Sequence, residues 1–443
     1  MRVLRWTFGA IVVLGLIVAG YVAWLVLQPG VTDFAGGTAV DLAAYTGPSP
    51  TGTPADLPQG DALSRGAYLT AAADCAACHT AKGGVPFAGG RPFKLPFGTI
   101  YTPNLTPDRE TGIGNWSDAE FLRAVHKGIG KGGEHLYPAF PYASYTMLTD
   151  ADVLAIKAYL FSLAPVHQAT PPNTFGFPFN QRWLMAIWST LFNKDERFRP
   201  RPAQSPVWNR GAYLVEAAGH CAECHSPRNL MQAPDTRQKM AGGQAEGWNA
   251  YNITSDRLSG IGAWSTQEVT DYLTKGHAAG RGTASGPMRE AVELSLTKLT
   301  RGDIAAIVTY LRTVPAIRSS ASPEPTGPAP KLASAGPSDN PVGKRIFEGA
   351  CTSCHAWTGA GALVGQAQLT GGRAVNDPSA TNVAQMVLNG SGKATSGHPV
   401  MPGFASAYTD TEIAAVANYV TARFGAVPSK VTAKEVTRLR EQN

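Results

Sequence analysis

Apolar residues fall along this chain as one long uninterrupted run and as shorter stripes that recur at helical spacing. Residues 6–28 carry no charge, are mostly apolar and follow Arg2 and Arg5, a stretch of about the length that crosses a bilayer. The run is longer than the roughly 7 to 15 residues of a signal-peptide core, and no clear A-x-A site follows it. A retained transmembrane helix within residues 1–30 is therefore expected in preference to a cleaved signal, with everything after Pro29 on the outer face. Further on, Ser117-x-x-Glu120 and Ser265-x-x-Glu268 have the form of capping boxes, in which hydroxyl and carboxylate satisfy the free N–H groups at a helix start. Three apolar stripes of helical period are each bracketed by an acid and a tyrosine seven positions later: Asp152 and Tyr159, Asp303 and Tyr310, Glu412 and Tyr419. Each predicts a closing helix that packs against one near the start of its own unit.

The stripes belong to an internal repeat. Arg65-Gly66-Ala67-Tyr68-Leu69 returns residue for residue as Arg210-Gly211-Ala212-Tyr213-Leu214. Asn104-x-Thr106-x-Asp108 with Gly112-Ile113-Gly114-x-Trp116 returns as Asn252-x-Thr254-x-Asp256 with Gly260-Ile261-Gly262-x-Trp264, and a shorter third unit follows. The expected organisation is an N-terminal segment 1–30, small all-α domains over 58–165, 206–316 and 342–425, and a charged tail over 426–443. Between the last two domains, 317–341 is rich in proline, serine and alanine and reads as a semi-extended linker that lets the third domain move. The first connector, 166–205, differs. Phe175, Phe177, Phe179 and the apolar run 183–192 predict a short helix that lies in the membrane interface or against a partner subunit, or else packs between the first two domains.

Composition narrows the class. The 443 residues carry a net charge of only +6, with lysines and arginines scattered and no basic stripe interleaved with aromatics, so nucleic acid is not an expected partner. All six cysteines lie in C-x-x-C-H pentapeptides: Cys75, Cys78 and His79; Cys221, Cys224 and His225; Cys351, Cys354 and His355. Two thiols three positions apart on one helical turn can each add across a haem vinyl group, and the adjacent histidine then presents a ring nitrogen to the iron. Zinc needs four ligands, and no motif has a second C-x-x-C at finger spacing. Three copies, each with its histidine, also outweigh a C-x-x-C redox pair. Three covalent c-type haems are expected, with His79, His225 and His355 as proximal ligands.

A distal methionine belongs in a loop ahead of the closing helix. Met401 lies 11 residues before Glu412 and Met288 lies 15 before Asp303, whereas Met231 and Met240 come too early. The first unit breaks the pattern, since the position 12 before Asp152 is Phe140, which has no lone pair. Three completions stand open there: Met147 as the nearest thioether, His135 as a second histidine, or a five-coordinate iron. His126 is also available, and His220 directly precedes Cys221. Trp116 and Trp264 are expected to pack on a haem or donate to a propionate, or else to be core residues at a helix entrance.

The motifs Thr102-Pro103-Asn104-Leu105-Thr106-Pro107-Asp108, Gly112-Ile113-Gly114-Asn115-Trp116-Ser117, Leu136-Tyr137-Pro138-Ala139-Phe140-Pro141-Tyr142 and Arg210-Gly211-Ala212-Tyr213-Leu214, with the three haem pentapeptides, resemble the tri-haem cytochrome c subunits of membrane-bound periplasmic dehydrogenases. The resemblance covers nearly everything after residue 58. It implies three tandem class I cytochrome c domains facing the periplasm at a bacterial inner membrane, behind the N-terminal transmembrane helix. It also implies a separate large catalytic subunit, a quinoprotein, flavoprotein or molybdoprotein, whose electrons reach ubiquinone or a terminal oxidase. That family carries Ala-Met-Pro-Tyr where this chain has Phe140, and attaches to the membrane by surface helices, so the apolar leader is a departure. The competing readings are a stand-alone membrane-anchored carrier between respiratory complexes, and a haem enzyme or gas sensor built on the site lacking methionine.

Overall fold

The computed structural model describes residues 6–7, 9–10, 12–17, 20–21, 34–54, 57, 62–319, 339–362, 364–391 and 400–442. The first repeat runs through α1 (Ala62–Ala72), the short haem-motif helix α2 (Cys75–His79), the antiparallel strands β1 (Pro92–Leu95) and β2 (Gly98–Tyr101), then α3 (Asp118–Lys127), α4 (Tyr142–Tyr145) and α5 (Asp150–Phe161). A connector helix, α6 (Trp183–Phe192), leads to the second repeat. There α7 (Pro206–Ala212) continues as a π-helical turn, Tyr213–Ala218, into α8 (Ala222–His225). Strands β3 (Gly243–Ala245) and β4 (Trp248–Ala250), α9 (Thr266–Lys275), the pair β5 (His277–Ala278) and β6 (Gly282–Thr283), α10 (Gly286–Leu294) and α11 (Arg301–Leu311) complete it. The third comprises α12 (Pro341–Ile346), a π-helical turn Phe347–Cys351, α13 (Thr352–His355), α14 (Thr381–Asn389), α15 (Asp410–Phe424) and α16 (Ala433–Glu441).

Local chemistry sets these boundaries. Ser117 and Ser265 form complete capping boxes with Glu120 and Glu268, and Gly128 and Gly276 end the same helices in left-handed conformation. In every repeat the first helix crosses the closing helix at a glycine. A Cβ at Gly66 would collide with the Ala155 carbonyl oxygen, one at Gly211 with that of Ala306, and one at Gly343 with that of Ala415. The closing helices bury Val153, Ile156 and Leu160, then Ile304, Ile307 and Leu311, then Ile413, Val416 and Val420 against their partners, each side chain contributing about 1.5–3 kcal/mol.

Two expectations are corrected. The domains are mainly helical but not purely α, since among the described residues three short two-stranded antiparallel ribbons interrupt the helices. The N-terminal transmembrane helix is not supported, because no helix among the described residues is long and apolar enough to cross a membrane. The described positions of that run, 6–7, 9–10, 12–17 and 20–21, are helical, and the rest of 1–30 lies outside the described residues. Most of the linker, 320–338, also lies outside the described residues. The tail at 426–443 holds α16, opened by a Thr432–Glu435 capping box, with Val436 and Leu439 buried against the third repeat.

The first two repeats share one continuous core, in which Leu69, Tyr145, Leu148 and Val153 join Tyr213, Leu214, Ile304 and Ile307. The third has its own, around Phe347, Ile413, Tyr419 and Phe424.

Candidate functional site

One cavity of about 2520 Å³ is lined by all three pentapeptide motifs, and its walls are largely apolar. Each motif sits on a helical turn that places both thiols and the histidine along it. No cysteine is in a disulfide, and no group of three or more potential metal-ligating His, Cys, Asp or Glu occurs among the described residues, so nothing assembles a zinc site. Burial pushes the thiols of Cys75, Cys78 and Cys221 up to about 12, and those of Cys224 and Cys351 to about 11. A catalytic C-x-x-C pair needs the opposite, a depressed thiol.

The histidines are prepared as ligands. His79 donates from Nδ1 to the Pro103 carbonyl at 2.8 Å, His225 to Tyr251 at 2.6 Å and His355 to Ala367 at 2.6 Å. A carbonyl only accepts, so the proton resides on Nδ1 and Nε2 keeps its lone pair for a metal. Burial holds the His79 imidazole down at about 4, and lowers His225 and His355 in the same direction, which keeps all three neutral.

The repeated Asn-x-Thr-x-Asp loops fix two of those accepting carbonyls. Asn104 follows Pro103, donates from Nδ2 to Val166 O at 2.7 Å and accepts from Thr106 N at 2.9 Å. Asn252 follows Tyr251 and does the same toward Ile317 O at 2.7 Å and Thr254 N at 2.8 Å. The backbone of these loops thus orients the proximal histidine, a role that would have needed the carbonyl's direction to be known.

Met288 is on the first turn of α10 and Met401 is in the loop ahead of α15; both line the cavity. Ser391 holds Met401 from two sides, its hydroxyl accepting from Met401 N and its N–H donating to Met401 O, each at 2.9 Å. Phe140 lines the cavity, while Met147 and His135 are not among its lining residues. Met147 packs against the shared core, and its carbonyl accepts from Phe198 N at 3.0 Å. His126 is buried away from the cavity, with its imidazole held down at about 4 by burial. His220 meets the Tyr145 ring edge-on at 5.3 Å. The indole Nε1 of Trp264 is buried without a protein partner, and the Arg281 guanidinium stands 5.7 Å over its ring at the cavity wall. An unpaired donor beside a cation suits an anionic propionate, so the residues present fit haem at the second motif.

Sequence reasoning missed Arg91. It donates to Ala77 O at 2.5 Å within the first haem-motif helix and pairs with Glu290 at 2.5 Å and Glu246 at 3.0 Å in the second repeat. The first two attachment sites are therefore neighbours, clasped across a repeat boundary. Nothing local in the sequence marks such a contact.

The family model described as cytochrome c matches this chain three times, over residues 63–164, 209–315 and 342–423. The chain is 43% identical over 372 residues to a nicotinate dehydrogenase subunit of Pseudomonas putida, covering 82% of this chain but only 30% of that protein. It is 37% identical over 409 residues to the gluconate 2-dehydrogenase cytochrome c subunit of Pantoea cypripedii, covering 87% of this chain and 91% of that one. It is also 37% identical over 405 residues to the fructose dehydrogenase cytochrome subunit of Gluconobacter japonicus, covering 85% and 82%.

Proposed function

Because the chain belongs to the cytochrome c family and carries three haem c motifs, we propose that it is the electron-transfer subunit of a dehydrogenase complex. It takes electrons from a separate large catalytic subunit, a quinoprotein, flavoprotein or molybdoprotein, and passes them to ubiquinone or a terminal oxidase. Its haem domains face the periplasm at the bacterial inner membrane, an oxidising compartment in which unoccupied thiols would form disulfides. Relatives named for nicotinate, gluconate and fructose dehydrogenases align with most of this three-repeat chain, which supports a substrate set by the catalytic partner.

The observation that carries the reading is the single cavity that joins the three motifs. Haem c supplies a one-electron couple when bound. The chain's own part is to hold three such groups close together and to tune them. His79, His225 and His355 present oriented Nε2 lone pairs, and Met288 and Met401 offer thioethers that favour the reduced iron. Trp264 Nε1 would donate to a propionate beside Arg281, which is itself paired with Glu268 at 2.9 Å, and apolar walls exclude water.

Purification from the native membrane in mild detergent tests the proposal. A large dehydrogenase polypeptide should accompany the chain, and substrate should reduce all three haems in the complex. Recovery as a lone polypeptide that retains quinone-reducing activity would overturn it in favour of a stand-alone carrier.

A further inference from the structure

At the first motif the loop opposite the proximal histidine has Phe140 where a thioether is needed, yet a helix from outside the repeat lies on that loop and carries a methionine. Helix α6 lies on it at two points. The Arg182 guanidinium, at the N-terminal cap of α6, donates to His135 O at 2.8 Å and stands 4.9 Å over the Tyr137 ring. Further along the helix, Trp188 meets Tyr142 edge-on at 5.7 Å. Residues three or four apart share a helix face, so Met185 lies on the face of Arg182 and Trp188. Its anchors bracket Phe140 between Tyr137 and Tyr142. Met185 is half-buried and lines the cavity, and its unbranched thioether can extend past an aromatic ring.

We propose that Met185, from the connector helix, is the distal iron ligand at the first haem motif, in place of the methionine that Phe140 displaces. Met147 and His135 are absent from the cavity wall. Met231 is the competing donor. It lines the same cavity and packs with Phe140 against the Tyr142–Trp188 cluster, but it follows the second haem motif and belongs to the second repeat, so the Met231→Leu variant below decides between the two. The assignment gives α6 a function in the first repeat and explains why its inner face is kept against the 135–142 loop while Trp183 and Leu191 stay exposed. It rests on haem attachment at Cys75 and Cys78, which a pyridine haemochrome count measures separately.

Near-infrared magnetic circular dichroism of the oxidised full chain counts methionine-ligated haems. Three are expected in the wild type. Met185→Leu should lose one third of the methionine-to-iron charge-transfer intensity and let the reduced protein bind one carbon monoxide per three haems, with the haem count still three. Phe140→Met in the Met185→Leu background should restore the lost third. A wild type with only two methionine-ligated haems overturns the proposal. So does a Met185→Leu protein that keeps all three, or loss of the same third in Met231→Leu or Met147→Leu.

Discussion

The first and second repeats meet through a reciprocal exchange of buried hydrogen bonds, whereas the second and third meet through a rim of amide, hydroxyl and backbone hydrogen bonds that includes Arg373. At the first junction Tyr68 donates to Asp303 and Tyr213 donates to Asp152, each at 2.6 Å, so matching tyrosines reach into each other's closing helices. Each aspartate also pairs with its own repeat's arginine, Arg65 to Asp152 at 2.6 Å and Arg210 to Asp303 at 2.6 Å. Residues of 34–54 strap the same place, with Arg210 donating to the carbonyls of Pro50 and Gly52 at 2.9 and 2.8 Å. At the second junction Asn249 and Asn382 exchange backbone and side-chain bonds at 2.8 and 2.9 Å, Asn249 donates to Asp377 at 2.8 Å, and Gln385 donates to Gly247 O at 3.1 Å. Arg373 donates to Asn252 O at 3.1 Å and stands 5.0 Å over the Tyr251 ring. The first arrangement fuses two cores into one folding unit. The second docks a separately folded unit against a finished surface.

Asp303→Ala should therefore have the largest effect. Removing one partner of a buried, hydrogen-bonded charge pair costs about 3–5 kcal/mol, because the remaining charge is left uncompensated. Here Arg210 and the Tyr68 hydroxyl lose their acceptor together. The first two repeats should unfold in one transition at lower temperature, while the third keeps its own midpoint. Calorimetry with the three haems in place measures this, and a loss confined to the second repeat would break the view that the two cores are one.

Arg373→Leu should act on docking and leave folding alone. The variant gives up at least the hydrogen bond to Asn252 O and the cation–π contact with Tyr251, about 2 kcal/mol together. Small-angle scattering should show a larger radius of gyration with unchanged unfolding midpoints for all three repeats. An unchanged radius would mean that the rest of the rim holds the third unit, and the contrast between the junctions would narrow.

The sequence already displays the repeat units, because Arg-Gly-Ala-Tyr-Leu, the Asn-x-Thr-x-Asp loops and the serine capping boxes are local patterns with local consequences. Tyr68 and Tyr213 were visible as repeated residues. Their partners were not, since each bonds an aspartate of the other repeat and such pairing leaves no signature in either segment. The ribbons escaped because strands of two to four residues are too short to show a period of two. Helix α16 carried its own signal in Thr432–Glu435 followed by Val436 and Leu439, but its high charge made it read as a tail. For the N-terminal run the apolar composition was legible, but no helix among the described residues is long and apolar enough to cross a membrane. At the haem sites, cysteines and histidines were legible from spacing alone, while the carbonyls of Pro103, Tyr251 and Ala367 belong to backbone geometry.

Tyr68→Phe and Tyr213→Phe should each cost less than Asp303→Ala and test the symmetry of the first junction directly. Each change removes a hydroxyl and keeps the ring, so no cavity opens. Each aspartate retains its arginine, so no buried charge is orphaned. What is lost is one hydrogen bond to a charged acceptor, about 1.5–3 kcal/mol, and the backbone N–H of Thr300 or Thr149 loses a weaker contact at 3.2 or 3.4 Å. Burial drives both phenols well above their ordinary range, and the neighbouring carboxylate adds to it. The hydroxyls therefore stay protonated donors through any working pH, and the two penalties should not change between about pH 6 and pH 9. Because the two bonds are copies related by the repeat, the two variants should lower the shared midpoint equally in urea titrations of the holoprotein. If one were silent and the other costly, the junction would be held from one side only, and the duplicated tyrosine would owe its presence to ancestry and not to a shared physical task.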